Sequence, residues 1–214
     1  MDDQNQKPSV WNIANYLTLA RILSIPAVIA LLMMVQPETR THNWLALTPA
    51  DPDPATNNFL YCVLAAVIFS LASITDYLDG YLARRYNLVT TLGKLLDPLA
   101  DKLLVIGAMI MLVELNRLPG WMALVVISRE VGITALRGIA GEQGTVISAS
   151  RLGKFKTATQ MPGLIGLLVY YDFPLLVFTE VNMFAAGMAI FSIAAILTVW
   201  SGIDYFIKFW KVTA

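Results

Sequence analysis

Six apolar runs, most of them close to the length a helix needs to cross a hydrocarbon core, dominate this sequence. They extend from Leu17 to Val35, Phe59 to Tyr81, Leu95 to Leu115, Trp121 to Ile139, Thr159 to Tyr171 and Val181 to Ile207. A core of about 30 Å takes roughly 20 mostly apolar helical residues. With 57% of its 214 residues hydrophobic and 14% charged, the chain has too little polar side chain to coat a soluble globule. The expected fold is all-α: a polytopic membrane helix bundle of six transmembrane helices, forming a single membrane-embedded domain over residues 1–214. The stretch before Leu17 lacks the basic region and cleavage site of a secretory signal, so the first run reads as a retained span. The fifth run is short and carries Pro162.

The formal net charge is zero, but six spans would sort the cations to one side. Lys7, then Arg84, Arg85 and Lys94, then Arg151, Lys154 and Lys156, then Lys208 and Lys211 share that side. The opposite loops hold Arg40 and Arg117 with Glu38, Asp51, Asp53, Asp172 and Glu180. Positive residues stay on the cytosolic side, which places both termini in the cytosol and the protein in the cytoplasmic (inner) membrane. Trp11, Tyr16, Tyr205, Phe206, Phe209 and Trp210 read as interfacial anchors. The segment 36–58, with Pro37, Pro49, Pro52 and Pro54, breaks helical periodicity and reads as an outer loop. Cys62 is the only cysteine, so neither an intramolecular disulfide nor a cysteine metal site can form, and it reads as apolar filler. His42 stands alone in the outer loop, and the balance of charge calls for no nucleic-acid partner.

Against this background the segment DYLDGYLARRYNLVTTLGKLLDPLAD, from Asp76 to Asp101, stands out because it sets four acids in or beside apolar spans. Each charge deep in a membrane costs about 2.5–3.5 kcal/mol on an insertion scale, so four of them need compensation. At 100° per residue Asp76, Asp79, Gly80 and Ala83 fall on one helical stripe, with Arg84 at its edge, while Gly93, Asp97 and Asp101 fall on another. If the two helices pack antiparallel, the carboxylates meet at one level near the cytosolic interface. Grouped oxygen ligands suit Mg²⁺, Mn²⁺ or Ca²⁺, one ion or a pair, and Mg²⁺ in particular sits between carboxylates and substrate phosphates. Salt bridges to Arg84, Arg85, Lys94 and Lys102 are the plainer alternative, though polar glue in membranes seldom needs four acids.

These residues resemble the signature of the CDP-alcohol phosphotransferase family: D-x-x-D-G-x-x-A-R, eight residues, then G-x-x-x-D-x-x-x-D. Asp76, Asp79, Gly80, Ala83, Arg84, Gly93, Asp97 and Asp101 fill every fixed position. The resemblance implies a six-helix membrane fold, a homodimer, and Mg²⁺ or Mn²⁺, two ions per site, on Asp76, Asp79, Asp97 and Asp101. It makes Asp101 both ligand and catalytic base toward an acceptor hydroxyl, with CMP as leaving group. It also places the nucleotide against Asp79, Gly80 and Arg84, and against Asn15, Thr18 and Arg21 in NYLTLAR; a bond from Thr18 to its own helix backbone is the plainer alternative for that residue.

A closer resemblance, to members that join CDP-diacylglycerol to sn-glycerol 3-phosphate, rests on ASITDYLDGYLARRYN with LDPLADKLL, on ISREVGITALRG and on SRLGKFKTATQ. The outer loop and the last helix add almost nothing to it, and Gly138 stands where many members have glutamate. A phosphorylated acceptor needs fixed cations near the inner mouth, and Arg129, Arg137, Arg151, Lys154 and Lys156 supply them. Membrane topology and attraction to anionic lipids already account for Arg151, Lys154 and Lys156. They do not account for Arg129, which lies inside an apolar run beside Glu130. Competing readings are the same chemistry with another acceptor such as inositol phosphate, intramembrane prenyl transfer, and divalent-cation transport. The last would require acids at mid-membrane depth along a conduit.

Overall fold

The computed structural model describes residues 13–35, 58–86, 91–142, 151–176 and 179–213. Among them are six helices: α1 (Ile13–Met33), α2 (Asn58–Tyr86), α3 (Thr91–Glu114), α4 (Gly120–Glu142), α5 (Arg151–Val169) and α6 (Met183–Thr213). The rest is a short antiparallel hairpin of β1 (Asp172–Leu176) and β2 (Thr179–Asn182), which pairs Asp172 with Asn182 and Phe173 with Val181. The hairpin occupies the segment between the fifth and sixth helices and takes in Val181, where the sixth apolar run begins. Its last residue, Asn182, caps α6 by accepting the Ala185 N–H at 2.8 Å. The outer loop expected at 36–58 lies outside the described residues except for Asn58, which begins α2.

Apolar side chains face both inward and outward. Phe69, Leu104, Leu112, Leu164, Leu168 and Phe191 are buried in one core. Leu23, Leu71, Leu124, Ile196 and Trp200 are 60–65% exposed, a surface that water would not tolerate and lipid tails would cover. Among the described residues, three helices are long and apolar enough to cross a membrane, over Tyr16–Met33, Asn58–Thr75 and Met183–Lys211. At 1.5 Å per residue, the 24, 23 and 19 residues of α3, α4 and α5 give them comparable length. Those three carry the charges that line the interior, which is why composition alone does not single them out. The protein is a membrane protein with an all-helical bundle at its centre.

Helix ends differ from the apolar runs in an instructive way. Hydropathy starts the fifth helix at Thr159, whereas α5 begins at Arg151 and so takes Lys154 and Lys156 out of a loop and into the bundle. Hydropathy marks contact with hydrocarbon; the backbone ladder continues beyond it. α5 packs tightly on α6 because Gly163 and Gly166 on α5 and Gly187 on α6 let the backbones approach. A Cβ placed on Gly166 would lie 2.7 Å from the Gly187 Cα, and one on Gly163 would lie 2.8 Å from the Phe191 nitrogen.

Arg117, expected in an exposed outer loop, is instead 2% exposed. The turn after α3 folds it inward, through Asn116 at φ 55° and hydrogen bonds from the Arg117 and Leu118 N–H groups to the Leu112 carbonyl at 2.8 and 3.1 Å. Its guanidinium lies 3.9 Å from the ring centre of Tyr170 and donates to Cys62 Sγ at 3.1 Å. Cys62 is thus an acceptor for a buried cation rather than plain filler. Tyr170, at φ 66°, holds a left-handed conformation rare for a bulky residue, and its N–H closes α5 onto the Gly166 carbonyl at 2.9 Å.

Candidate active site

Four helices wall a cavity of about 710 Å³. α3 contributes Asp101 and Lys102; α4 contributes Arg129, Glu130 and Arg137; α5 contributes Lys154, Lys156 and Gln160; α6 contributes Tyr205. Among the described residues, five cations face two carboxylates there. Of the five cations expected to hold an acceptor phosphate, Arg129, Arg137, Lys154 and Lys156 therefore share one cavity with Asp101. Arg151 opens α5, but its side chain lies outside the described residues.

The cavity is wired by side chains from different helices. Glu130 accepts from Lys156 and, at 2.9 Å, from Arg129 Nη1. Arg129 Nη2 donates to Ser201 Oγ on α6 at 3.2 Å. Lys102 donates to Thr134, tying α3 to α4. Lys156 is 3% exposed, so its position is not explained by membrane topology or by attraction to lipid headgroups; it is a buried, ion-paired cation. Arg137 lies with its guanidinium 5.6 Å from the ring centre of Tyr205.

Tyr205 is also the residue that sequence reasoning misplaced. Expected as an interfacial anchor, it is 3% exposed and forms part of the cavity wall. The aromatic pattern around it, with Phe206 and Trp210 exposed at 54% and 63%, hid the one ring that turns inward. Helical spacing offered a signal: Tyr205 lies one turn beyond Ser201, the α6 partner of Arg129. Among the described residues, the Tyr205 hydroxyl and Arg129 Nε are buried with no hydrogen-bond partner. A buried polar group left so costs about 1–3 kcal/mol.

On α1, Thr18 and Arg21 are 2% and 1% exposed. Arg21 Nε donates to the Ala72 carbonyl of α2 at 3.3 Å, one helical turn before Asp76. The helices carrying Asp76, Asp79, Gly80 and Arg84 on α2, Asp97 on α3 and Asn15 on α1 are described, but those side chains are not. Asp76 lies ten residues before the end of α2 and Asp101 ten after the start of α3; Asp79 and Asp97 lie seven and six from the same ends. Counted along two helices in contact, the two acid pairs thus stand at matching distances from the α2–α3 connection.

Among the described residues no group of three or more His, Cys, Asp or Glu is assembled, and Asp101 is the one signature acid whose side chain is described. That carboxylate, half-buried on a cavity wall without cysteine or histidine, fits a hard divalent cation by donor type.

A sequence model of the CDP-alcohol phosphatidyltransferase family matches residues 11–200. The chain belongs to that family. It is 41% identical over 202 residues to a CDP-diacylglycerol–glycerol-3-phosphate 3-phosphatidyltransferase of Bacillus subtilis, covering 94% of this chain and 97% of the relative. A protein of the same description from Rickettsia typhi is 37% identical over 195 residues, covering 91% and 95%. A cardiolipin synthase (CMP-forming) of Oryza sativa is 32% identical over 223 residues, covering 98% of this chain and 60% of the relative. Gly138 has nothing within 4 Å of a Cβ added to it, so a side chain could stand there without disturbing the packing.

Proposed function

We propose that this protein transfers the phosphatidyl group of CDP-diacylglycerol to sn-glycerol 3-phosphate, releasing CMP and forming phosphatidylglycerol phosphate. The observation that carries the reading is one cavity walled by Asp101 together with Arg129, Arg137, Lys154 and Lys156. The descriptions of the Bacillus and Rickettsia relatives support the same donor and acceptor.

In this reading the cations seat the acceptor's phosphate and so hold its hydroxyl near Asp101, turning a bimolecular encounter into a positioned attack. Asp101 takes the proton from that hydroxyl. The freed oxygen bonds to the phosphorus on the lipid side of the pyrophosphate, the bond from that phosphorus to the CMP oxygen breaks, and CMP leaves with the electron pair. Thr18, Arg21, Asn15, Asp79, Gly80 and Arg84 hold the nucleotide. Asp76, Asp79, Asp97 and Asp101 would hold Mg²⁺ or Mn²⁺, two ions per site, whose charge draws electron density from the pyrophosphate.

The same reading makes the chain one domain over residues 1–214, acting as a homodimer in the cytoplasmic membrane with both termini in the cytosol and the site near the cytosolic face. Purified protein in detergent with CDP-diacylglycerol, Mg²⁺ and each acceptor in turn tests it. CMP release dependent on glycerol 3-phosphate is expected. Release driven only by inositol phosphate, or by a lipid acceptor such as phosphatidylglycerol, would refute the acceptor assignment.

A further inference from the structure

We infer that Tyr205 is a positioning residue for the acceptor, its hydroxyl donating a hydrogen bond to the acceptor's phosphate beside Arg137. The inference rests on the proposed acceptor reaction and extends its site to α6, a helix from which neither the signature nor the stretches of closer resemblance draw a residue.

Three observations converge. Tyr205 walls the cavity that also holds Asp101 and the cations. Its hydroxyl is buried and has no hydrogen-bond partner among the described residues. Phenols buried in an interior normally find one, so a polar group entering the cavity is the natural recipient. Arg137 lies with its guanidinium 5.6 Å from the same ring, so an anion held by Arg137 arrives next to Tyr205. Arg129 carries another unpartnered buried donor at this cavity, its Nε–H, while its Nη2 donates to Ser201 Oγ one turn before Tyr205 on α6. The α4–α6 seam thus presents a neutral O–H and two guanidinium groups. Such a set suits a phosphate dianion, because an O–H donated to an anion is a strong hydrogen bond and lacks the desolvation cost of one more charge.

The test is Tyr205→Phe in the full-length protein, which keeps the ring and its Arg137 contact and removes only the hydroxyl. Three quantities are measured: KM for glycerol 3-phosphate, the inhibition constant of inorganic phosphate as a competitor, and KM for CDP-diacylglycerol, with the thermal midpoint as a check on folding. The first two should rise together by about 10- to 150-fold, the size of one lost hydrogen bond to a charged group. The KM for CDP-diacylglycerol, kcat and the midpoint should stay near wild type. Unchanged values for both acceptor and phosphate overturn the inference. So does a rise for glycerol 3-phosphate alone, which would put the hydroxyl on the acceptor's carbon skeleton, or a rise in both substrates' KM with a lowered midpoint, which would make the role structural. If wild-type protein forms no product with glycerol 3-phosphate, the proposed reaction fails on its own. Titration of inorganic phosphate followed by phosphorus NMR still decides the inference, with weaker binding by Tyr205→Phe supporting it and equal binding overturning it.

Discussion

Half-buried Glu130 on α4 and buried Lys156 on α5 form an ion pair on the cavity wall, and Arg129 shares the same carboxylate oxygen. One acid therefore fixes two of the cations assigned to the acceptor. Breaking a buried pair from one side strands the other charge, so Glu130→Gln should cost about 2–4 kcal/mol of stability. It should also raise KM for glycerol 3-phosphate more than KM for CDP-diacylglycerol. Thermal unfolding in detergent and steady-state kinetics check the two effects; an unaltered midpoint would mean the pair holds nothing.

Asp101→Asn keeps the shape of the side chain and removes its basicity. Turnover should fall by about 10²–10⁴-fold, the range for a lost general base, and further to the extent that the carboxylate also holds metal. The protein should still insert and melt as a folded bundle. Wild-type turnover in this variant would refute the base assignment.

Arg117 is a structural cation, away from the cavity. Arg117→Ala removes its stacking on Tyr170 and its bond to Cys62, and should destabilise the protein by about 2–4 kcal/mol. Both KM values should remain near wild type at temperatures where the variant is folded. A selective change in acceptor KM would tie the outer end of the bundle to catalysis.

Two glycines make a matched pair. Gly166→Ala drives a Cβ to 2.7 Å from the Gly187 backbone, where no flexible side chain can yield, and should cost about 1–3 kcal/mol. Gly138→Ala meets nothing within 4 Å and should stabilise α4 by about 0.5–1 kcal/mol. Melting temperatures of the two variants moving in opposite directions is the expected outcome.

The helices were legible because membrane spans are long and compositionally blunt, and the acids because charge in an apolar run has few plain explanations. What a side chain faces was less legible. Lys156 in SRLGKFKTATQ reads as one of three basic residues on the cytosolic side, and only the continuation of α5 back to Arg151 turns it inward. Tyr205 shares its neighbourhood with exposed aromatics, so residue type predicted an anchor where helix rotation makes a wall. Arg117 sits between two runs, where loops are expected, yet the turn at Asn116 buries it. In each case the deciding quantity is the angle of one residue about a helix or turn, which hydropathy averages away.

The central claim is the identity of the acceptor. Mass analysis of the lipid formed from CDP-diacylglycerol, glycerol 3-phosphate and Mg²⁺ by the purified protein tests it most directly. The account predicts phosphatidylglycerol phosphate, formed in one-to-one ratio with CMP and abolished when the metal is chelated. No such lipid despite intact, folded protein, or CMP release that is indifferent to glycerol 3-phosphate, would contradict it.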